Sequence, residues 1–234
     1  MIPRRQARAK LAKAGADKAS AHGSGHGSGP GGGVGGDPAP DATPGGARIP
    51  ADVARKIRLV VLDVDGVLTD AGVYLGQNGS GITVELKRFD IQDGLGLRLL
   101  QDAGIQVALV SGRVSGATEV RARELGIEAC HQVSGAHKLP VVRELCEERG
   151  LGWDEVAMVA DDLPDIPVLE RVGLPVAVGN AVREVRAAAL WTTRRNGGHG
   201  AVREFCRVLL EARGEWQARV EAYVDARRGE HGSP

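Results

Sequence analysis

Five short runs of apolar, largely β-branched residues are spaced along residues 57–193, with helix-like stretches between them. The runs are 57–62 (Ile-Arg-Leu-Val-Val-Leu), 106–110 (Gln-Val-Ala-Leu-Val), 156–159 (Val-Ala-Met-Val), 175–178 (Pro-Val-Ala-Val) and a weaker 190–193 (Leu-Trp-Thr-Thr). Continuous apolar runs of this length suit strands buried on both faces of a parallel sheet. Residues 94–103, 117–125, 138–149, 165–172, 182–189 and 201–212 are expected to be helical. Strands alternating with helices predict a doubly wound, Rossmann-like α/β fold with helices on both faces of one parallel sheet.

One insertion breaks the alternation. Gly72-Val-Tyr-Leu75 and the run 82–89 are extended segments separated by Gly76-Gln-Asn-Gly-Ser-Gly81, which reads as a β-hairpin. It leaves the sheet at the carboxyl edge, where open α/β folds place their sites. A hairpin there serves as a flap and is too short to be a cap domain.

Residues 1–50 are of another kind. The stretch 21–50 holds 11 Gly and 5 Pro, and no aromatic residue precedes Tyr74. Such a segment buries too little apolar surface to offset its ordering entropy, so 1–50 is expected to be a disordered extension. Its basic stretch 4–13 is a candidate arm. The folded domain is expected over 51–214, with 215–234 as a C-terminal tail. Lys+Arg and Asp+Glu are 30 each, which gives no global field for nucleic acid or anionic membrane. No apolar run approaches the ~20 residues of a membrane span, and residues 1–15 lack the apolar core of a secretory signal. Three scattered cysteines, Cys130, Cys146 and Cys206, fit a reducing compartment, so a cytoplasmic location is expected.

The chemistry concentrates at strand ends. Asp63-Val-Asp65-Gly66 directly follows the first run, and Asp161-Asp162-Leu-Pro-Asp165 follows the third. Alone, Asp-X-Asp-Gly is an ordinary turn. Carboxylates gathered at one edge of a sheet repel each other unless a cation sits among them, and all-oxygen ligands select a hard ion such as Mg²⁺. Ser111-Gly-Arg113 follows the second run at a helix start, a common anion site, and Lys138 opens the next helix. Each alone reads as a cap or a solvated lysine. Together the order is strand-DxD, strand-Ser, Lys at a helix start, strand-DD.

This order resembles the haloacid dehalogenase superfamily. More narrowly it is similar to its lidless 3-deoxy-D-manno-octulosonate (KDO) 8-phosphate phosphatases and their sialic-acid-type phosphatase relatives. The resemblance covers about 57–214. It is carried by Leu62-Asp-Val-Asp-Gly-Val-Leu-Thr-Asp70, Arg88-Phe-Asp-Ile-Gln-Asp-Gly94, Ser111-Gly-Arg113, Lys138-Leu, Asp161-Asp162 and Gly197-Gly-His-Gly-Ala-Val-Arg-Glu204. It implies Asp63 as the nucleophile and Asp65 as the general acid and base. Ser111 and Lys138 would bind the phosphoryl oxygens. Mg²⁺ would sit on Asp63, the Asp65 carbonyl and Asp161, with Asp162 and Asp165 outside it. Asp90, Ile91, Gln92, Asp93 and Gly94, with Arg98, Arg113 and Arg121, would face a small phosphorylated sugar acid. The family also implies a homotetramer in which the hairpin and a neighbour's tail close the site, with Trp216 and Tyr223 as tail anchors.

Gln92 stands where the KDO-type enzymes usually carry a basic residue, so a nine-carbon sialic-acid-type sugar phosphate stays open as substrate. Two readings of another class also stand: a receiver-like phosphoacceptor without turnover, and an inactive scaffold.

Overall fold

The computed structural model describes residues 48–229. Most of the expected extension, including the basic stretch 4–13, and the last residues of the tail lie outside the described residues. Ile49 is already buried, so the folded domain begins no later than that residue.

In chain order the elements are α1 (Ala51–Lys56), β1 (Leu59–Leu62), β2 (Tyr74–Gln77), β3 (Thr83–Leu86), α2 (Ile91–Asp102), β4 (Gln106–Ser111), α3 (Gly116–Glu124) and β5 (Ala129–Gln132). Then come α4 (Lys138–Arg149), β6 (Val156–Ala160), α5 (Ile166–Leu169), β7 (Leu174–Ala177), α6 (Arg183–Ala188), β8 (Trp191–Thr192), α7 (Ala201–Arg213) and α8 (Trp216–Gly229). Six strands form one wholly parallel sheet in the order β5-β4-β1-β6-β7-β8. The chain builds outward from β1 through β4 to β5, then crosses to β6 and builds outward the other way. That reversal opens a crevice at the carboxyl end of β1. Helices flank the sheet: α1 and α2 pack on α7, while α4 packs on α5 and α5 on α6.

All five expected strands are present, and β5 is a sixth that the apolar pattern did not reveal. Ala129-Cys-His-Gln132 is half-buried throughout, as an edge strand with little apolar character. The helix expected over 165–172 is shorter, a 3₁₀ turn at Leu163–Asp165 followed by the four residues of α5. Pro164 and Pro167 stand in the first turn of the 3₁₀ segment and of α5, where proline favours a helix start. α7 shows how the core is made. Ala201, Val202, Phe205, Cys206, Leu209 and Leu210 recur at helical spacing and are all buried.

The hairpin forms as expected, β2 pairing antiparallel with β3. Asn78 sets the turn, its side-chain oxygen accepting from the N–H groups of Ser80 at 3.0 Å and Ile82 at 2.9 Å. Tyr74, Leu75, Ile82 and Leu86 on the hairpin are all more than half exposed. An antiparallel bridge between Thr69 and Phe89 stitches its base to the loop after β1.

The segment expected as a tail is helical and lies on its own domain. The Arg203 guanidinium stacks 4.8 Å above the Trp216 ring, and Trp216 and Tyr223 both pack against the core. Both aromatic residues stay partly exposed.

Candidate active site

Asp63 is the first residue beyond β1, and its N–H still bonds to Val159 of β6 at 3.1 Å. The chain then turns sharply, the Val64 carbonyl accepting from Leu68 and Thr69 at 3.0 and 3.1 Å. Gly66 sits in this turn at φ +94°, and a Cβ there would run into the Asp161 carboxylate. Glycine is required on both counts.

The strand ends deliver a compact charge cluster. Asp63, Asp161 and Asp165 each place a carboxylate oxygen within 4.8 Å of the others. Lys138, at the start of α4, donates to Asp63 Oδ1 and to Asp165 Oδ1, both at 2.6 Å. The side chains of Lys138, Asp63 and Asp165 are 3 %, 9 % and 1 % exposed, so the pairs are shielded from solvent. Burial, and then repulsion by Asp63, holds the Asp161 and Asp165 carboxyls well above the usual carboxylate range. Burial pulls Lys138 downward, yet the charges of Asp63 and Asp165 outweigh it and the ammonium is held more firmly protonated. One ammonium against three carboxylates leaves the cluster short of positive charge.

That shortage fits a hard divalent cation. Asp161 Oδ1 is buried without a hydrogen-bond donor, and the donors in reach are all oxygens. The expected outer pair divides. Asp165 joins the inner cluster and orients Lys138, whereas Asp162 is exposed and accepts from the Leu163 N–H at 2.8 Å, capping the 3₁₀ turn. Ser111, at the end of β4, is buried, and its hydroxyl accepts from the Arg113 N–H at 3.1 Å.

A second group lines the flap side. Asp65 Oδ1 accepts from Lys87 Nζ at 2.7 Å, and Arg113 Nε lies 3.9 Å from Asp65 Oδ2. Glu85 of β3 completes a four-charge ring, 2.8 Å from Arg113 and 3.7 Å from Lys87.

The expected sugar-facing residues scatter more widely. Asp90 caps α2, accepting from the Gln92 N–H at 2.7 Å, and Ile91 and Gln92 are exposed at that helix start. Asp93 is buried and turned away, accepting from the Arg203 N–H at 2.7 Å so that it ties α2 to the start of α7. Gly94 leaves room for Arg121 and Leu125. Arg121 lies over the Phe89 ring at 5.7 Å and donates to the Asp90 carbonyl at 3.1 Å, bracing the 89–94 segment from behind. Arg98 pairs with Asp102 along α2 and lines a groove of about 800 Å³ against Arg219 and Tyr223 of α8. Of the three expected arginines, Arg113 alone approaches one of the carboxylates after β1, Asp65.

The Gly-rich motif is a packing device. Gly197 and Gly198 bring their backbone so close to the Gly66–Asp70 loop that a Cβ at either would strike its main chain. Asn180 clamps the two loops, donating to the Gly66 carbonyl at 2.9 Å and accepting from the Gly197 N–H at 2.6 Å. Arg88, at the hairpin's exit, bonds the Gly198 carbonyl.

Lys87, Glu85, Thr118 and Asn180 were not foreseen. Asn180 was findable, since a polar residue just past β7 lies on the same carboxyl edge as the aspartates. Lys87 carried no local signal, because a lysine in an extended run reads as solvated.

Comparison with known proteins agrees with this geometry. A family model described as haloacid dehalogenase-like hydrolase matches residues 132–205. The 3-deoxy-D-manno-octulosonate 8-phosphate phosphatase KdsC of Escherichia coli K12 is 44% identical over 170 residues, 71% of this chain and 88% of that protein. The Salmonella typhi protein of the same name is 43% identical over 162 residues, 69% of this chain and 84% of its own. Among solved structures, the Moraxella catarrhalis 3-deoxy-D-manno-octulosonate 8-phosphate phosphatase in complex with magnesium, phosphate and KDO superposes with a TM-score of 0.69 at 35% identity, covering 74% of this chain and 96% of that one. The chain is thus a haloacid dehalogenase-like hydrolase and belongs to the 3-deoxy-D-manno-octulosonate 8-phosphate phosphatase family.

Proposed function

We propose that the chain is a Mg²⁺-dependent phosphatase that hydrolyses 3-deoxy-D-manno-octulosonate 8-phosphate to KDO and phosphate. The observation that carries this reading is the Lys138 ammonium, 2.6 Å from both Asp63 and Asp165, with the Asp161 carboxylate beside them and short of a cation. Asp63 attacks phosphorus in line, forming an aspartyl-phosphate as the bond to the sugar oxygen breaks. Asp65 delivers a proton to that oxygen, then takes one from the water that cleaves the aspartyl-phosphate and regenerates Asp63. Asp63, Asp161 and the Asp65 carbonyl would hold Mg²⁺, which would supply the positive charge that a phosphate dianion needs to approach these carboxylates. Lys138 turns from Asp63 to the phosphoryl oxygens while Asp165 keeps it in place, and the Ser111 hydroxyl binds another oxygen. Arg113, exposed at the mouth, suits the sugar carboxylate, with the 90–94 segment and Arg121 shaping the far wall.

The working form is a cytoplasmic homotetramer. The apolar hairpin residues Tyr74, Leu75, Ile82 and Leu86, left in solvent around the site, support a contact between copies. The cytoplasmic reading is supported by three unpaired cysteines.

A panel of sugar phosphates compared by kcat/KM tests the assignment. KDO 8-phosphate is expected to lead the panel by at least about tenfold, within what a hydrogen-bonding pocket can discriminate. Gln92, exposed at the start of α2, makes nine-carbon 9-phosphate sugars the necessary comparison. Preference for one of these would change the sugar. Phosphate released once per chain, or never, would overturn the enzyme in favour of a phosphoacceptor or a scaffold.

A further inference from the structure

The hairpin flap ends in a side chain that the proposed chemistry does not use. Lys87 follows β3, and its side chain has no exposed surface. Its ammonium meets three oxygens: Asp65 Oδ1 at 2.7 Å, Thr118 Oγ1 of α3 at 3.4 Å and Glu85 Oε1 at 3.7 Å. The ammonium thus bonds acceptors on the loop after β1 and on α3, with the Glu85 carboxylate of the flap beside it as an ion-pair partner beyond hydrogen-bond reach.

Burying an ammonium is costly, and an aliphatic side chain would seat a flap at least as well. What the ammonium adds is direction. It takes one oxygen of Asp65 and leaves the other, Oδ2, buried without a hydrogen bond. Arg113 Nε, at 3.9 Å from Oδ2, is too far to bond it. A carboxyl held by one oxygen, with the second open, is arranged for proton transfer through that second oxygen.

We infer that Lys87 is the positioning residue of this site, fixing Oδ1 of Asp65 so that Oδ2 faces the leaving oxygen, and that docking of the flap and orientation of the acid–base group are one contact. Lys87 acts through Asp65. The inference rests on the phosphatase reading above. It adds that the flap of this capless protein carries part of the catalytic geometry, which its exposed strands do not suggest.

Leaving-group dependence separates positioning from simple support. A sugar alkoxide needs a proton as it leaves, whereas p-nitrophenolate does not. First-turnover release is therefore measured by rapid quench with Mg²⁺, using KDO 8-phosphate and p-nitrophenyl phosphate. Lys87→Met is expected to slow sugar release by about 10²-fold, the usual worth of a positioned acid. Its p-nitrophenol release falls by less than about fivefold, and KM for the sugar phosphate moves less than about threefold, because uniform binding is untouched. Thr118→Val, which loosens the ammonium's second anchor, shows the same selective pattern at a smaller size. It carries the test alone if Lys87→Met does not fold. Equal losses with both substrates, or no loss with the sugar phosphate, would overturn the inference while leaving the phosphatase intact. A wild-type chain that releases neither product overturns the phosphatase reading and this inference with it.

Discussion

Two rings of charged side chains meet at the carboxyl edge of the sheet, and they are built differently. The sheet-side ring of Asp63, Asp161, Asp165 and Lys138 hangs from the ends of β1 and β6 and the start of α4, over a fully buried core. The flap-side ring of Asp65, Lys87, Glu85 and Arg113 joins the nucleophile loop to a two-stranded ribbon whose outer residues stand in solvent. The first is short of positive charge and gains stability from a cation. The second is balanced, two cations against two anions. The groups proposed to meet the phosphate hang from the ends of buried strands, and those proposed to face the sugar join an exposed ribbon.

The largest separation between the rings is expected at Asp63, the proposed nucleophile. Asp63→Asn should lower kcat by about 10⁴-fold or more while the thermal midpoint holds or rises, because a nucleophile has no substitute and one buried negative charge has been removed. Near-normal turnover in that variant would assign the nucleophile elsewhere. Lys138→Met comes next, with a loss of about 10²–10³-fold in kcat from a missing phosphoryl donor. It should also melt earlier in the absence of Mg²⁺, since the buried Asp63 and Asp165 lose their shared counter-charge, and recover part of that on adding the ion. A variant equally stable with and without Mg²⁺ would break the contrast drawn above.

On the flap side, Glu85→Gln frees Arg113 and Lys87 from one carboxylate at a partly exposed position. Its effect on kcat should stay within about tenfold, because the amide keeps an acceptor oxygen for Arg113 and the 3.7 Å contact to Lys87 is beyond hydrogen-bond reach, with at most a small shift in melting. A loss as large as that of Lys138→Met would make the two rings equivalent.

The smallest effect lies behind both rings, at Asp93. Burial chiefly, opposed by the Arg203 N–H bond, pushes this carboxyl up to about 6 from 3.8. A raised folded-state value means that ionisation costs stability. The protonated form's contribution is whole below about pH 4 and is lost as pH climbs through about 6. Asp93→Asn keeps an acceptor oxygen and never ionises. Thermal scans should therefore place it about 2–4 °C above wild type at pH 8. The gap closes near pH 4.5, and a variant less stable than wild type at pH 8 would contradict the sign.

The sheet-side ring is legible in the amino-acid sequence because its members mark the ends of apolar strands, where position along the chain alone fixes the edge. Lys138 reads as a helix start, and α4 begins there. The flap-side ring is half hidden. Asp65 and Arg113 come with motifs, but Lys87 and Glu85 reach the site only because the hairpin folds back, a long-range event that local periodicity does not encode. The same limit explains Asp93 and Arg98, whose neighbourhoods are set by α7 and α8 rather than by their own helix. β5 escapes the apolar pattern because an edge strand can be polar.

The proposed chemistry depends most on a divalent cation among Asp63, Asp161 and Asp165. Phosphate release from KDO 8-phosphate, followed before chelation, after it and on returning Mg²⁺, tests this directly. Turnover should fall to background on chelation and return with Mg²⁺; undiminished release from thoroughly chelated, folded protein would contradict it.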